Sequence, residues 1–306
     1  MIKRLFNRND NIAILIAGIF SIIIGLGVAR FAFTGLIPAM LDDYLTIKFV
    51  GILASLNFAG YLSGSIFSIF VKDINFKVYL YRFGIFLAIT TTFILAYSDN
   101  NTLWMIGRVL AGFAGAMCLI VGTSIVMQKL TIKSKTKAMG IHFSGIGFSI
   151  LTTDLLARFV LSLNYSWRDS WAVLAVFAII LSLYSVYILS FDKEVKQNAV
   201  KVKFDISIFT PFVIVLIIAY FTEGVGFVVQ ATFLPDIINN LKGLEGYGSL
   251  TWTLVGVAGI PSCIIWMLLA HRFGSSNIII IALLLQAVGI LIPAFSSNIY
   301  LNLLSG

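Results

Sequence analysis

The feature that most constrains the fold is a succession of apolar stretches, each long enough to cross a bilayer. From Asn11 onward these stretches follow one another to the end of the chain, separated by short polar segments. A single helix needs about 20 apolar residues to cross the hydrocarbon core of a membrane. Because lipid offers no hydrogen bonds to the backbone, such stretches must be helical, so the sequence predicts an all-α integral membrane protein.

Composition supports this prediction and argues against a soluble class. Hydrophobic residues make up 59% of the chain and charged residues 11%, whereas about a quarter of a soluble domain is charged. The net charge of +8 lies mostly in short loops, so we predict no nucleic-acid partner. Cys118 and Cys263 both fall inside apolar stretches, and their spacing indicates neither a disulfide nor a metal site. We predict no metal and no cofactor.

Clusters of charge, Gly, Asn and Ser divide the chain into helices and into two halves. The predicted helices lie near 11–40, 47–71, 79–98, 102–128, 136–162, 170–190, 208–236, 248–270 and 277–296, and a tenth begins at Asn298. The longest hydrophilic stretch separates the sixth helix from the seventh. We therefore expect a cytoplasmic N-terminus at 1–10, a six-helix bundle at 11–190, a cytoplasmic linker at 191–207 and an incomplete C-terminal bundle at 208–306.

Basic residues are concentrated in every second loop of the chain. Fifteen of them lie in loops on one predicted side, and the opposite loops hold only Lys48, Arg168 and Lys242. By the positive-inside rule, the N-terminus and the linker are expected in the cytoplasm.

An internal repeat relates the two halves. Gly25-Leu-Gly27 recurs as Gly224-Val-Gly226, 199 positions later, and both segments lead to a Pro. The same offset places the Ala-Gly pair at 59–60 on the pair at 258–259. Two halves of six helices each would form parallel repeats about an axis along the membrane normal. A complete second half would make the protein roughly 400 residues long, so we expect this chain to be truncated.

Local motifs resemble those of a known transporter family. The segment from Arg108 to Ala116, Arg-Val-Leu-Ala-Gly-Phe-Ala-Gly-Ala, resembles the helix 4 signature of the major facilitator superfamily. The segment from Gly25 to Pro38, with Thr232-Phe-Leu-Pro235, is similar to the YbfB/YjiJ branch of bacterial permeases, and the likeness covers helices 1 to 9.

This resemblance implies a fold, a location and an activity. It implies a parallel repeat of six-helix bundles, here about nine helices plus the start of a tenth. It further implies a multi-pass protein of the bacterial cytoplasmic (inner) membrane, a monomer that works as a symporter or antiporter by alternating access. The loop between helices 2 and 3 keeps only Asp73 and Lys77 of the family's gating motif, while the loop after helix 8 keeps Arg272-Phe-Gly274. Helix 5 lacks the Gly-Pro step of proton-driven drug antiporters. Multidrug export is therefore not expected.

Five ionisable residues are predicted at membrane depth: Arg30, Arg108, Asp154, Arg158 and Glu223. Each would cost about 2.5 to 3.5 kcal/mol to insert, so each should face a partner or a wet cavity. The repeat places no charged counterpart opposite Arg30 or Glu223. We expect a substrate or coupling role for Arg30, against the alternative of a structural Arg that donates to backbone carbonyls.

The remaining four residues form the predicted coupling set. Glu223, a carboxylate near mid-membrane with no cation within a turn, is expected to take up and release the coupling proton. Arg108 has either a structural or a coupling role. Asp154 and Arg158 lie one helical turn apart in the favourable order for an ion pair, and the structural interpretation is preferred.

The charge balance suggests the substrate class. If Asp154 and Arg158 neutralise each other, two Arg side chains face one Glu, which favours an organic anion held by guanidinium donors. The predicted substrate-binding residues are Arg30, Thr34, Asn57, Tyr61, Gln230 and Trp252. The expected partners are a small solute, protons and the lipid bilayer.

Three other classes of function are open to the sequence. An intramembrane enzyme is not expected, because His142 and His271 lie at the predicted cytoplasmic edge and no catalytic cluster occurs at membrane depth. A non-transporting membrane sensor on the same scaffold is one alternative. The other is a truncated, inactive remnant of a carrier.

Overall fold

The computed structural model describes residues 2–41, 43–131, 135–191, 209–296 and 298–305, and within these ranges the chain is helical without strands. A short turn, Ile2–Leu5, precedes α1. The helices are α1 Asn11–Leu41, α2 Ile47–Phe70, α3 Ile74–Tyr97, α4 Asn101–Lys129, α5 Lys135–Ser162, α6 Trp167–Ile188, α7 Pro211–Asn239, α8 Gly248–Phe273, α9 Ser275–Phe295 and α10 Ile299–Ser305. Among the described residues, the first nine are long and apolar enough to cross a membrane, which confirms the predicted fold class.

Two helices begin three or more residues earlier in the structure than the sequence predicted. The α3 helix starts at Ile74 because the Asp73 side chain accepts a hydrogen bond of 2.7 Å from the Phe76 backbone N–H. The α6 helix starts at Trp167, where Ser166 and Asp169 form a capping box. Polar first turns were mistaken for loops. Apart from Phe191, the predicted linker at 191–207 lies outside the described residues.

The α1 helix changes its winding in the middle. It is α-helical to Ile22, has the wider π winding over Ile23–Phe31, and returns to α geometry over Ala32–Leu41. A Cβ added at Gly25 would lie 2.3 Å from Cβ of Cys118, so this glycine lets α1 approach α4. Insertions of π winding often occur at functional sites, and Arg30 lies at the end of this one.

Small residues let α2 and α4 pack with their backbones nearly touching. A Cβ at Gly60 would lie 1.9 Å from the Val109 carbonyl oxygen, and one at Gly112 would lie 1.9 Å from the Asn57 carbonyl oxygen. Such close packing is typical of helix pairs in membranes. Gly112 belongs to the segment that resembles the helix 4 signature, so its place in that segment has a packing reason.

The first six helices and the helices after the linker meet along two helix pairs. The α5 helix packs on α8, where Gly147 and Gly259 lie so close that a Cβ on Gly259 would be 2.9 Å from Cα of Gly147. The second pair joins the end of α1 to the end of α7, where the Thr34 hydroxyl donates to the Ala231 carbonyl at 2.5 Å. These pairs position the candidate site between the two sets of helices.

Burial differs between helices that the repeat relates. In its most apolar window α1 is 78% buried, whereas the windows of α7, α8 and α9 are 0%, 6% and 6% buried. Large apolar side chains such as Phe221 of α7, 71% exposed, form the outer surface. Such a surface suits contact with lipid tails, which are as apolar as these side chains.

Candidate functional site

Arg30 lies where α1, α2 and α7 converge, and aromatic rings surround it. Its guanidinium carbon is 4.3 Å from the ring centre of Phe58, 5.4 Å from Phe31, 5.7 Å from Tyr61 and 5.9 Å from Phe227. These distances are within the range of cation–π attraction. In the part of the chain that the structure describes, the Arg30 guanidinium has no hydrogen-bond acceptor and no carboxylate partner. Its donors are therefore free to bind an anion.

Arg108 lies close by and, unlike Arg30, donates hydrogen bonds to described residues of the protein. Its Nη1 donates to the Ala29 carbonyl at 3.1 Å and its Nε approaches the Leu53 carbonyl at 3.5 Å. Its guanidinium carbon lies 4.3 Å above the Phe33 ring, and the residue is only 2% exposed. These contacts join α4 to α1 and α2, so they favour the structural interpretation of Arg108.

Asn57 and Thr34 are buried beside the two arginines. The Asn57 side chain is 1% exposed and donates to the Arg108 carbonyl at 3.1 Å. Asn57 and Thr34 line a narrow gap of about 10 Å³ together with the two arginines and with Ala231 and Thr232 of α7. The gap is too small for a solute, so binding at Arg30 requires α7 to move or the solute to enter from the adjacent cavity.

That adjacent cavity has a volume of about 240 Å³ and lies between α1, α5, α7, α8 and α9. Its polar lining among the described residues comes from Gln230, Gln286 and the Trp252 indole, and most of the remaining lining is apolar. Phe31 and Phe227 line this cavity and also flank Arg30. The rings of Phe31 and Phe227 therefore lie between the Arg30 guanidinium and the cavity, and Ala231 lines both the gap and the cavity.

Glu223 does not contact Arg30 but faces α9. Its Oε1 accepts a hydrogen bond from Gln286 Nε2 at 3.3 Å. Both residues line a second cavity, of about 290 Å³, between α7 and α9. Because Gln286 also lines the cavity that contains Gln230 and Trp252, a single side chain connects the carboxylate with the substrate cavity.

Asp154 and Arg158 form the ion pair that their spacing predicted, and the pair extends to α8. The Arg158 guanidinium donates to Asp154 Oδ2 at 3.1 and 2.9 Å. It also donates to the Ser249 carbonyl and the Thr253 hydroxyl, and Thr253 Oγ1 donates to Asp154 Oδ2 at 2.6 Å. The pair therefore joins α5 to α8, beyond the contact within one helix that the sequence indicated.

The structure thus separates the predicted residues into four places. Three of the predicted substrate-binding residues, Arg30, Thr34 and Asn57, line the narrow gap, and Tyr61 lies beside Arg30. Gln230 and Trp252 line the adjacent cavity. The coupling residues are not brought together: Arg108 is at the gap, Glu223 faces α9, and Asp154 with Arg158 lies between α5 and α8. The separation leaves Glu223 without a direct ionic partner in the described part of the chain.

Two residues in these networks were not predicted. Gln286 is the single polar side chain between Asn277 and Phe295 in α9, and a lone amide at membrane depth was a signal that could have identified it. Thr253 offered no comparable signal, because a Thr can hydrogen-bond its own helix and needs no partner.

The sequence model of the family described as "Uncharacterised MFS-type transporter YbfB" matches residues 22–306. The Protein TsgA homolog of Buchnera aphidicola subsp. Baizongia pistaciae (strain Bp) is similar, with 24% identity over 161 residues. That similarity covers 52% of this chain and 41% of the relative, so the chain spans less than half the length of this relative.

Proposed function

This chain belongs to the YbfB-type family of major facilitator transporters, and on that premise we propose that it carries a small organic anion by alternating access. Family membership and nine membrane-length helices in the described residues make it a multi-pass membrane protein. We place it in the bacterial cytoplasmic membrane as a monomer with a cytoplasmic N-terminus. The segments 11–190 and 208–306 are the two parts that rock about the site.

The observation that carries the anion proposal is that the hydrogen-bond donors of the Arg30 guanidinium have no acceptor among the described residues. The guanidinium lies between the two sets of helices, and four aromatic rings surround it. A carboxylate binds a guanidinium through two parallel hydrogen bonds, which matches the donors that Arg30 leaves open. Arg30 is therefore the anion-binding residue, assisted by Thr34, Asn57 and Tyr61, with Gln230 and Trp252 on the far wall.

Glu223 is the proposed proton-coupling residue. A carboxylate at membrane depth carries a large cost when charged, so changes in its surroundings move its proton occupancy. Gln286 links Glu223 to the substrate cavity, which provides a physical path by which a bound anion changes those surroundings. Arg108, Asp154 and Arg158 support the two sets of helices and keep this geometry.

The first experiment is a ligand screen by thermal stabilisation of the purified protein in detergent, with small carboxylates, amino acids and sugars. A ligand at 100 times its dissociation constant stabilises the folded state by about 2.7 kcal/mol. We expect carboxylates to raise the unfolding temperature and Arg30→Gln to abolish the effect. Arg272→Gln, at the exposed end of α8, is the matched control. Stabilisation by sugars alone, or by carboxylates in Arg30→Gln, would contradict the proposal.

The second experiment tests coupling with the best carboxylate from the screen. In proteoliposomes under an inward proton gradient, Glu223→Gln should abolish accumulation and spare counterflow, because exchange of bound anion needs no net proton transfer. Asp236→Asn, near the end of the same helix, is the control. Full accumulation in Glu223→Gln would refute the coupling role.

A further inference from the structure

The geometry points to the class of anion: we propose a monocarboxylate with a single-ring apolar body, its carboxylate on Arg30 and its ring in the adjacent cavity. This inference rests on the proposed function, because it specifies the solute at the same site. Three observations support it: the number of free cations at the site, the rings that flank Arg30, and the size and lining of the cavity.

The count of available positive charges limits the anion to one carboxylate. Arg30 and Arg108 are the two cations at the gap, and Arg108 already donates to the carbonyls of Ala29 and Leu53 and lies on the Phe33 ring. A second carboxylate on the solute would have to reach the remaining N–H groups of Arg108 inside a gap of only about 10 Å³, or remain buried without a partner. An unpaired buried charge carries a large free-energy cost. Dicarboxylates are therefore disfavoured.

The rings around Arg30 favour an apolar body over a hydrated one. Phe31 and Phe227 extend from the guanidinium into the cavity, where Phe31 meets Trp252 edge-on with ring centres 6.1 Å apart. A ring attached to the bound carboxylate would enter among these aromatic side chains, where edge-to-face and offset contacts are favourable. A sugar acid would instead bring several hydroxyls into a cavity whose lining offers only three polar side chains among the described residues, those of Gln230, Gln286 and Trp252.

The cavity volume sets the size of the body. At about 240 Å³ it is below the usual 300 to 1,000 Å³ of sites for drug-sized ligands. A cavity of this volume suits a solute body of one ring. The amides of Gln230 and Gln286 can accommodate one neutral polar substituent on it.

The test uses three probes that distinguish the effect of the number of carboxylates from the effect of the ring. Benzoate has one carboxylate and a ring, acetate has one carboxylate and no ring, and succinate has two carboxylates and no ring. Affinities are measured by titration calorimetry on the purified protein. We expect benzoate to bind at least tenfold more tightly than acetate or succinate. Phe227→Ala should weaken benzoate about tenfold and leave acetate unchanged, since it removes a ring contact and no donor. Phe221→Ala, an exposed ring on the same helix, is the matched control.

The outcomes distinguish this inference from the proposed function. Tighter binding of succinate than of benzoate, lost in Arg30→Gln, would overturn the ring-bearing class and leave the organic-anion function standing. Binding by none of the three probes, together with binding of a neutral solute, would overturn both. Equal effects of Phe227→Ala and Phe221→Ala on benzoate would overturn the aromatic contact. Because benzoate and acetate are compared on the same variant, a general loss of stability does not mimic the expected result.

Discussion

The ion pair between α5 and α8 should respond very differently to the loss of each partner. The side chain of Asp154 is 1% exposed, whereas that of Arg158 is 32% exposed. Asp154 Oδ2 accepts hydrogen bonds from Arg158 and Thr253, and no described residue donates to Oδ1. Replacing Arg158 by Gln leaves a buried carboxylate, while replacing Asp154 by Asn leaves a partly exposed cation.

The structure gives the expected size of each effect. Removing one partner of a buried pair costs about 3 to 5 kcal/mol, because the other charge stays buried and uncompensated. Arg158→Gln should approach this range. In Asp154→Asn the guanidinium keeps the Ser249 carbonyl and the Thr253 hydroxyl as acceptors and reaches solvent or headgroups, so the loss should be about 1 to 2 kcal/mol.

The assay is the free energy of unfolding from denaturant titrations in mixed micelles, for both single variants and the double variant. We expect the double variant to be more stable than Arg158→Gln alone, because it no longer contains the unpaired carboxylate. Thr222→Val serves as the control, since its hydroxyl bonds only to its own helix on an exposed face. Equal losses in the two single variants, or strict additivity in the double variant, would refute the reasoning.

Two further predictions concern packing and the contact between the two sets of helices. Gly112→Ala should lower the free energy of unfolding by about 1 to 3 kcal/mol, because the added Cβ would lie 1.9 Å from the Asn57 carbonyl. Gly224→Ala, whose added Cβ would have nothing within 4 Å, should leave the free energy of unfolding unchanged. Both are measured by denaturant titration. Thr34→Val should cost about 1 kcal/mol in denaturant titration by leaving the buried Ala231 carbonyl without its donor, and no loss would show that this bond does not hold α1 to α7.

Local features of the chain were sufficient to predict most of the fold. Hydropathy determined where membrane helices occur, because the length of an apolar stretch is compared directly with the thickness of a bilayer. The repeat offset and the segments around Gly25 and Arg108 were enough to indicate the family. Helix starts were less accurate, since the capping roles of Asp73 and Ser166 depend on backbone hydrogen bonds that hydropathy does not report.

The candidate site was predictable only in part. The i, i+4 spacing of Asp154 and Arg158 predicted their ion pair, because both partners lie on one helix face. Its extension to Thr253 of α8 required the structure, since helix rotation and the choice of neighbouring helix are set by side-chain packing. The same holds for Gln286, whose connection to Glu223 depends on how α7 and α9 pack together.

The two central arginines show where sequence information ends. Arg30 and Arg108 are chemically identical, and hydropathy predicts that both lie at membrane depth, where each should face something polar or aromatic. The packing of the surrounding helices distinguishes them, because it gives acceptors to Arg108 and none to Arg30 among the described residues. Arg108 lies where the carbonyls of Ala29 and Leu53 come within reach, whereas aromatic rings surround Arg30 and offer its donors no acceptor. Hydropathy can be read from the sequence of a single helix, whereas the neighbours of a guanidinium come from several helices that pack together.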